Sequence, residues 1–167
     1  MGFKEYQMNL NVLLQNMGAN QLSYLVIRNL NRLAETQPNI DSIVYYEDVH
    51  RPCILPTFAV MQIAEAWCSQ NPLIATSLST AHKLMGFPNR NKFFYIWELE
   101  WLRHQPRMYE QYAGVYTDPS LTLICRSESH KKLVENTFNR EVQYIVEDFD
   151  TDQMLEILNE NKTTRPA

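Results

Sequence analysis

The amino-acid sequence predicts an α/β domain in which a mostly parallel sheet of about six strands is covered on both faces by helices. Three observations carry this expectation. Short, nearly continuous apolar runs such as LIAT and LTLIC alternate with longer segments whose apolar residues recur at helical spacing. The connections between successive runs are too long for hairpins, so neighbouring strands run parallel. Runs that are apolar at consecutive positions suit strands buried on both faces.

The elements follow in order. NLNVLLQ reads as a buried strand centred on Val12, Leu13 and Leu14, and NMGAN is the turn after it. A helix starts near Gln21, with Leu22, Leu25, Val26, Leu30, Leu33 and Ala34 on one face, and Gln37-Pro38-Asn39 ends it. DSIVYYED is a second strand, and Phe58, Met61, Ile63, Ala64 and Trp67 predict a helix over 57–69. PLIAT is a third strand. Ser77 then caps a helix running through Leu84 and stopping at Gly86. NKFFYIW is a fourth strand, and a short helix is expected around 108–113. LTLIC, a helix over 127–138, and VQYIV complete the alternation before Asp150 and Gln153 open a last helix at capping-box spacing. Residues 1–160 thus form one Rossmann-like, three-layer domain, and 161–167 are expected to fray.

Composition bounds the function. A chain of 167 residues holds one domain with a sizeable core. Its 45% hydrophobic and 20% charged content is that of a globular protein. Net charge is −4, from 15 basic and 19 acidic residues, so no general attraction to nucleic acid or an anionic membrane is expected. Cys53, Cys68 and Cys125 form no CxxC pair and have no zinc-ligand spacing, so three buried thiols in a reducing compartment and no metal are expected. MGFKEYQMNL lacks the pattern of a signal peptide, and no apolar run is long enough to span a bilayer. The expected location is cytoplasmic. No cofactor is implied.

Ligands of open parallel sheets bind beyond the carboxyl ends of the strands, where strand order reverses. The candidate residues therefore lie in the loops after the strands. Gly18, Asn20 and Gln21 make a glycine-containing turn into a helix, a place for close backbone approach or simply a turn. The turn is not a GxGxxG or P-loop sequence, and the chain has only four glycines, which argues against a dinucleotide. Glu47 and Asp48 stand where an acidic residue holds ribose in dinucleotide folds, and Arg51 is a candidate for a phosphate or carboxylate. Ser77, within the hydroxyl-rich run Thr76 to Thr80, caps its helix or binds a ligand. Glu98 and Glu100 lie among Trp97, Trp101, Arg103 and His104, a pairing of rings and carboxylates that suits carbohydrate, and either is a candidate general base. The two tryptophans are equally good core residues. Arg126 is a candidate anion ligand, and Ser127 is an N-cap or a further ligand.

The order of these features resembles the N-terminal, acceptor-side domain of GT-B glycosyltransferases. MNLNVLLQNMGANQLSYLVIRNLNRLAE matches that family's first strand, short turn and long helix. LTLICRSESHKKLVENTFNREVQYIVEDFD matches its late strand, serine-capped helix and short strand, with Val146 to Asp150 in the place of the interdomain hinge. The resemblance spans 8–150. The FFYIWELEW segment is also similar to small glycosyltransferase-like proteins of tailed phages, which would place the chain in a host cytoplasm or a virion. The resemblance implies that the loops at Gly18, Ser77, Glu98 and Arg126 line an acceptor site. It implies too that donor-binding groups, including the family's E-x-x-x-x-x-x-E motif, come from a separate chain or a second copy.

Three functions are compatible with this reading: half of a split glycosyltransferase, a non-catalytic module for a sugar or nucleotide, and an interaction protein reusing the fold inside an assembly. The aromatic stretch Phe93, Phe94, Tyr95, Trp97, Trp101, Tyr109, Tyr112 and Tyr116 exceeds what one helical layer is expected to cover, so an interface at Trp101 is expected.

Overall fold

The computed structural model describes residues 9–103 and 108–163, with the backbone alone at 162 and 163. Its strands are β1 (Asn9–Asn16), β2 (Asp41–Asp48), β3 (Ala59–Gln62), β4 (Leu73–Ala75), β5 (Lys92–Ile96), β6 (Leu121–Cys125) and β7 (Tyr144–Ile145). The helices are α1 (Gln21–Thr36), α2 (Leu78–Met85), α3 (Tyr109–Thr117), α4 (Glu128–Phe138) and α5 (Thr151–Thr163). All seven strands join one sheet in the order β3-β2-β1-β4-β5-β6-β7, and every pairing is parallel.

The period-two alternation of side chains builds two cores on the two faces of the sheet. On one face Leu10, Val12 and Leu14 of β1 and Phe93 and Tyr95 of β5 meet α1 and α5, through side chains such as Val26, Leu30, Met154 and Leu158. On the other, Leu13, Leu73, Phe94 and Leu123 meet α2, α3 and α4, through Leu84, Val115, Tyr116, Val134 and Phe138. This is the three-layer, Rossmann-like arrangement that the alternation predicts. Each fully buried Leu, Ile, Val or Phe contributes roughly 1.5–3 kcal/mol to holding the layers together.

Helix boundaries are set by short polar side chains. Asn20 Oδ1 accepts from Ser23 N (2.9 Å) at the start of α1, and Ser77 with Thr80 forms a reciprocal capping box at α2. Ser127 caps α4, and Asp150 Oδ1 accepts from Asp152 N and Gln153 N at α5 (both 3.0 Å). The last helix continues through Thr163, so 161–163 are helical; 164–167 lie outside the described residues.

The helix expected over 57–69 is not formed. Ala59–Gln62 pairs with the free edge of β2, in register Ile43↔Ala59 to Tyr46↔Gln62, and a 3-10 helix, Ile63–Cys68, follows. Pro52 and Pro56 break the approach to this segment, and the open edge of β2 offers the backbone partners that a short helix would otherwise supply internally. The apolar residues at helical spacing in this segment are partly in solvent: Met61 is 41% and Trp67 51% exposed. This added edge strand makes the sheet seven-stranded. Cys53 and Cys68, in and beside the same region, are exposed, and only Cys125 is buried.

Most of the aromatic stretch is covered by the fold, with Trp101 and Tyr112 half-buried and Tyr109 44% exposed. Phe93, Phe94, Tyr95, Trp97 and Tyr116 are buried. Trp101 sits edge-on to Tyr116 (4.9 Å between centroids) and Phe138 (5.0 Å), in the layer formed by α3 and α4. Helix α3 extends to Thr117, further than 108–113, and thereby supplies Val115 and Tyr116 as cover. The Tyr116 hydroxyl is buried with no hydrogen-bond partner among the described residues. Tyr116→Phe is therefore expected to raise the unfolding free energy by about 1 kcal/mol, since it deletes an unsatisfied polar group and keeps the ring. Urea denaturation checks this, and a loss of stability would contradict it.

Candidate functional site

The chain leaves β1 toward β2 and β3 on one side, then crosses to β4 on the other, so strand order reverses between β1 and β4. The carboxyl ends of these two strands diverge there and open a cleft. A cavity of about 470 Å³ occupies this position. Its walls are the end of β1 (Gln15, Asn16), the first turn of α1 (Asn20, Gln21, Ser23), the end of β4 (Thr76, Ser77) and the segment after β5 (Trp97, Glu98, Glu100, Arg103).

Gly18 does not line the cavity but shapes its rim. A Cβ built there would lie 2.6 Å from Asn16 Oδ1 and 3.0 Å from His50 Cβ. Its φ is not in the left-handed region, so space and not backbone freedom demands glycine. The Asn16 amide accepts the Gly18 N–H, which ties the turn to the cleft wall. Gly18→Ala is expected to displace the Asn16 side chain, lower stability by about 1 kcal/mol and weaken any ligand held at Asn16. Paired thermal-unfolding and ligand-titration measurements test this.

Several candidate ligands are already occupied by the fold. The Asn20 amide bonds Ser23 through both its ends, with Asn20 Nδ2 donating to Ser23 Oγ (2.9 Å). Thr76 Oγ1 donates to Leu13 O (2.7 Å), and the Ser77 hydroxyl is held by Thr80 (3.1 Å). Gln21, exposed on the first turn of α1, makes no side-chain hydrogen bond to other described residues and faces the cavity. Glu47 is not poised for a ribose: its carboxylate takes the Ser79 hydroxyl (2.9 Å) and the Lys83 ammonium (2.9 Å).

The two carboxylates are brought together at the cleft. Glu100 Oε1 accepts the Leu78 N–H (2.8 Å), so this side chain, from a 3-10 helix at Glu100–Arg103, reaches the N-terminus of α2. Burial raises the Glu100 carboxyl above the ordinary glutamate range; the Leu78 N–H opposes the shift, the Glu98 carboxylate reinforces it and Arg103 opposes it. Glu98 pairs with Arg103 (2.7 Å), but both side chains are well exposed, so the pair contributes below about 1 kcal/mol.

Other predicted residues lie outside the cavity wall. Arg51 is exposed in the connection from β2 to β3. Trp101 is packed in the α3–α4 layer, as described above. Arg126 lays its guanidinium over the Trp97 ring (4.3 Å to the centroid), so it covers the outer face of a ring that lines the cleft. Ser127 Oγ bonds His130 Nδ1 (2.7 Å), and burial, with Arg126 adding to it, lowers the His130 pKa. His104 lies outside the described residues.

Gln15 and Arg103 are wall residues that the sequence did not single out as ligands. The signal for Gln15 is its position: it is the first polar residue after the apolar run of β1, at the strand's carboxyl end. Among the described residues no group of three or more His, Cys, Asp or Glu side chains converges as a metal site. No described helix is long and apolar enough to cross a membrane. Comparison with protein-family models, curated proteins and solved structures finds no match to this chain.

Proposed function

We propose that this chain is a glycosyltransferase-like domain whose switch-point cleft takes a hydroxyl-rich acceptor, with Glu100 as the general base. The observation that carries the reading is a half-buried carboxylate of raised proton affinity in the wall of a cavity of about 470 Å³, at the strand-order reversal. Glu100 Oε1 is fixed by Leu78 N–H, and Oε2 makes no hydrogen bond to other described residues. In this account Oε2 takes the proton of an acceptor hydroxyl as its oxygen attacks the anomeric carbon of a nucleotide sugar. The bond from that carbon to the nucleotide breaks, and the nucleotide leaves with the electron pair. Donor-binding groups come from a partner chain or a second copy. A cytoplasmic or virion location belongs to the same proposal.

A second reading, a sugar-binding module without turnover, is favoured by one observation. The Glu100 carboxylate already serves as a fixed partner of α2, and Glu98 is held by Arg103. A thermal-shift screen against monosaccharides, oligosaccharides and nucleotide sugars tests what the two readings share. A ligand at a hundred times its Kd adds about 2.7 kcal/mol to the unfolding free energy. The expected result is stabilisation by saccharides, and release of nucleotide in the presence of a donor-binding partner selects the enzyme. If no saccharide and no nucleotide sugar stabilises the chain, both readings fail.

A further inference from the structure

A second cavity, of about 450 Å³, adjoins the cleft. Gln15 and Glu100 line both, so the two spaces meet across these side chains. The outer cavity lies between α2, which contributes Leu78, Ser79 and His82, and α3, which contributes Gln111 and Tyr112. Each cavity alone is within the ~300–1,000 Å³ of small-ligand sites.

The lining identifies the chemistry. The side chains of Gln15, His82 and Gln111 make no hydrogen bond to other described residues and converge on the outer cavity. Amides and an imidazole both donate and accept, which matches the alternating donors and acceptors of sugar hydroxyls. Leu78 and Tyr112 supply apolar wall for the C–H face of a ring. Among the described residues no lysine or arginine lines this cavity, and the carboxylate there is Glu100, so these residues disfavour an anionic group. In the inner cleft the one guanidinium among the described residues, Arg103, is paired with Glu98.

We propose that the two cavities form one extended site for a neutral oligosaccharide, one sugar unit in the switch-point cleft and the next between α2 and α3, with Glu100 and Gln15 at the junction. This rests on the sugar-binding reading above and adds the substrate class: a chain of linked sugars, not a single sugar and not a phosphorylated one.

Isothermal titration of the whole chain with glucose, N-acetylglucosamine and their β-1,4- and α-1,4-linked trimers tests the proposal. At least one trimer is expected to bind about tenfold or more tightly than its monomer. Gln111→Trp, which fills the outer cavity from an exposed position, is expected to remove that gain and leave monomer binding unchanged. His82→Ala with Gln111→Ala should do the same without added bulk, and circular dichroism of both variants confirms the fold. Equal affinity for monomer and trimer overturns the extended site and leaves the sugar reading standing. Equal weakening of monomer and trimer in the variants overturns it as well. Displacement of the trimer by inorganic phosphate overturns the neutral-ligand assignment. If no monomer and no trimer binds, the sugar reading fails together with the extended site.

Discussion

Under the proposed function, Glu100→Gln is expected to lower glycosyl transfer by roughly 10²–10⁴-fold, the contribution of a positioned general base, while leaving the fold at least as stable at neutral pH. The amide oxygen of glutamine can still accept the Leu78 N–H that Glu100 Oε1 now accepts at 2.8 Å. What the substitution removes is the charge. Because burial raises the Glu100 pKa in the folded chain, folding favours the protonated carboxyl. That contribution to stability is fully present below the unfolded value, about 4.3, and is lost as pH rises through the raised folded value. At pH 7 the ionised carboxylate therefore costs stability, offset in part by the helix N-terminus, worth about 0.3–1 kcal/mol. The glutamine variant should match or exceed the parent in urea denaturation at pH 7, and its advantage should vanish below about pH 4, where both side chains are neutral. A loss above 1 kcal/mol at pH 7 would show that the charge is needed by α2 more than it is penalised by burial.

Tyr95→Phe is expected to cost about 2–3 kcal/mol with no change in the ring packing. The Tyr95 hydroxyl donates to Val146 O (2.9 Å) and accepts from Phe149 N (3.1 Å), in a fully buried position. Its loss orphans a buried backbone donor and weakens a buried acceptor. The segment it ties down is unusual: Asp148 and Phe149 hold positive φ (47° and 53°), a conformation that disfavours a bulky side chain. Asn29 Nδ2 braces the same residues by donating to Asp148 O (2.9 Å) and Phe149 O (3.0 Å). The Phe149 ring, edge-on to Tyr95 at 5.2 Å, keeps its contact in the variant, so a cost of this size isolates the hydroxyl. Chemical denaturation reads it directly, and a change below 0.5 kcal/mol would mean the backbone finds other partners.

What the sequence encodes locally is legible in it. The starts of α2, α4 and α5 follow from Ser77, Ser127 and Asp150, each one residue before its helix, whereas Asn20, which reads as a candidate ligand, caps α1. The strand runs of β1, β4 and β6 follow from near-continuous apolar composition. Tertiary context decided the rest. The segment Ala59–Gln62 is a strand because β2 has an open edge beside it, a fact that no window of residues contains. Trp101 reads equally as ligand or core until α3 and α4 are placed around it. Glu98 and Glu100 stand out in the sequence by their aromatic neighbours, and both line the cleft. The role of Glu100 at α2 was not legible, because its partner Leu78 is 22 residues away. Arg51 failed as a wall residue for the opposite reason: a loop charge has no periodicity to fix where it points.

The central claim, that the reversal of strand order between β1 and β4 holds a sugar, is tested most directly by amide chemical-shift mapping. The isotope-labelled chain would be titrated with the saccharide that stabilises it most. Perturbed amides are expected to cluster at residues 15–23, 76–79 and 97–103, which surround the cleft. Shifts confined to the exposed edge at β3, to the amino ends of the strands, or to no region at all would contradict it.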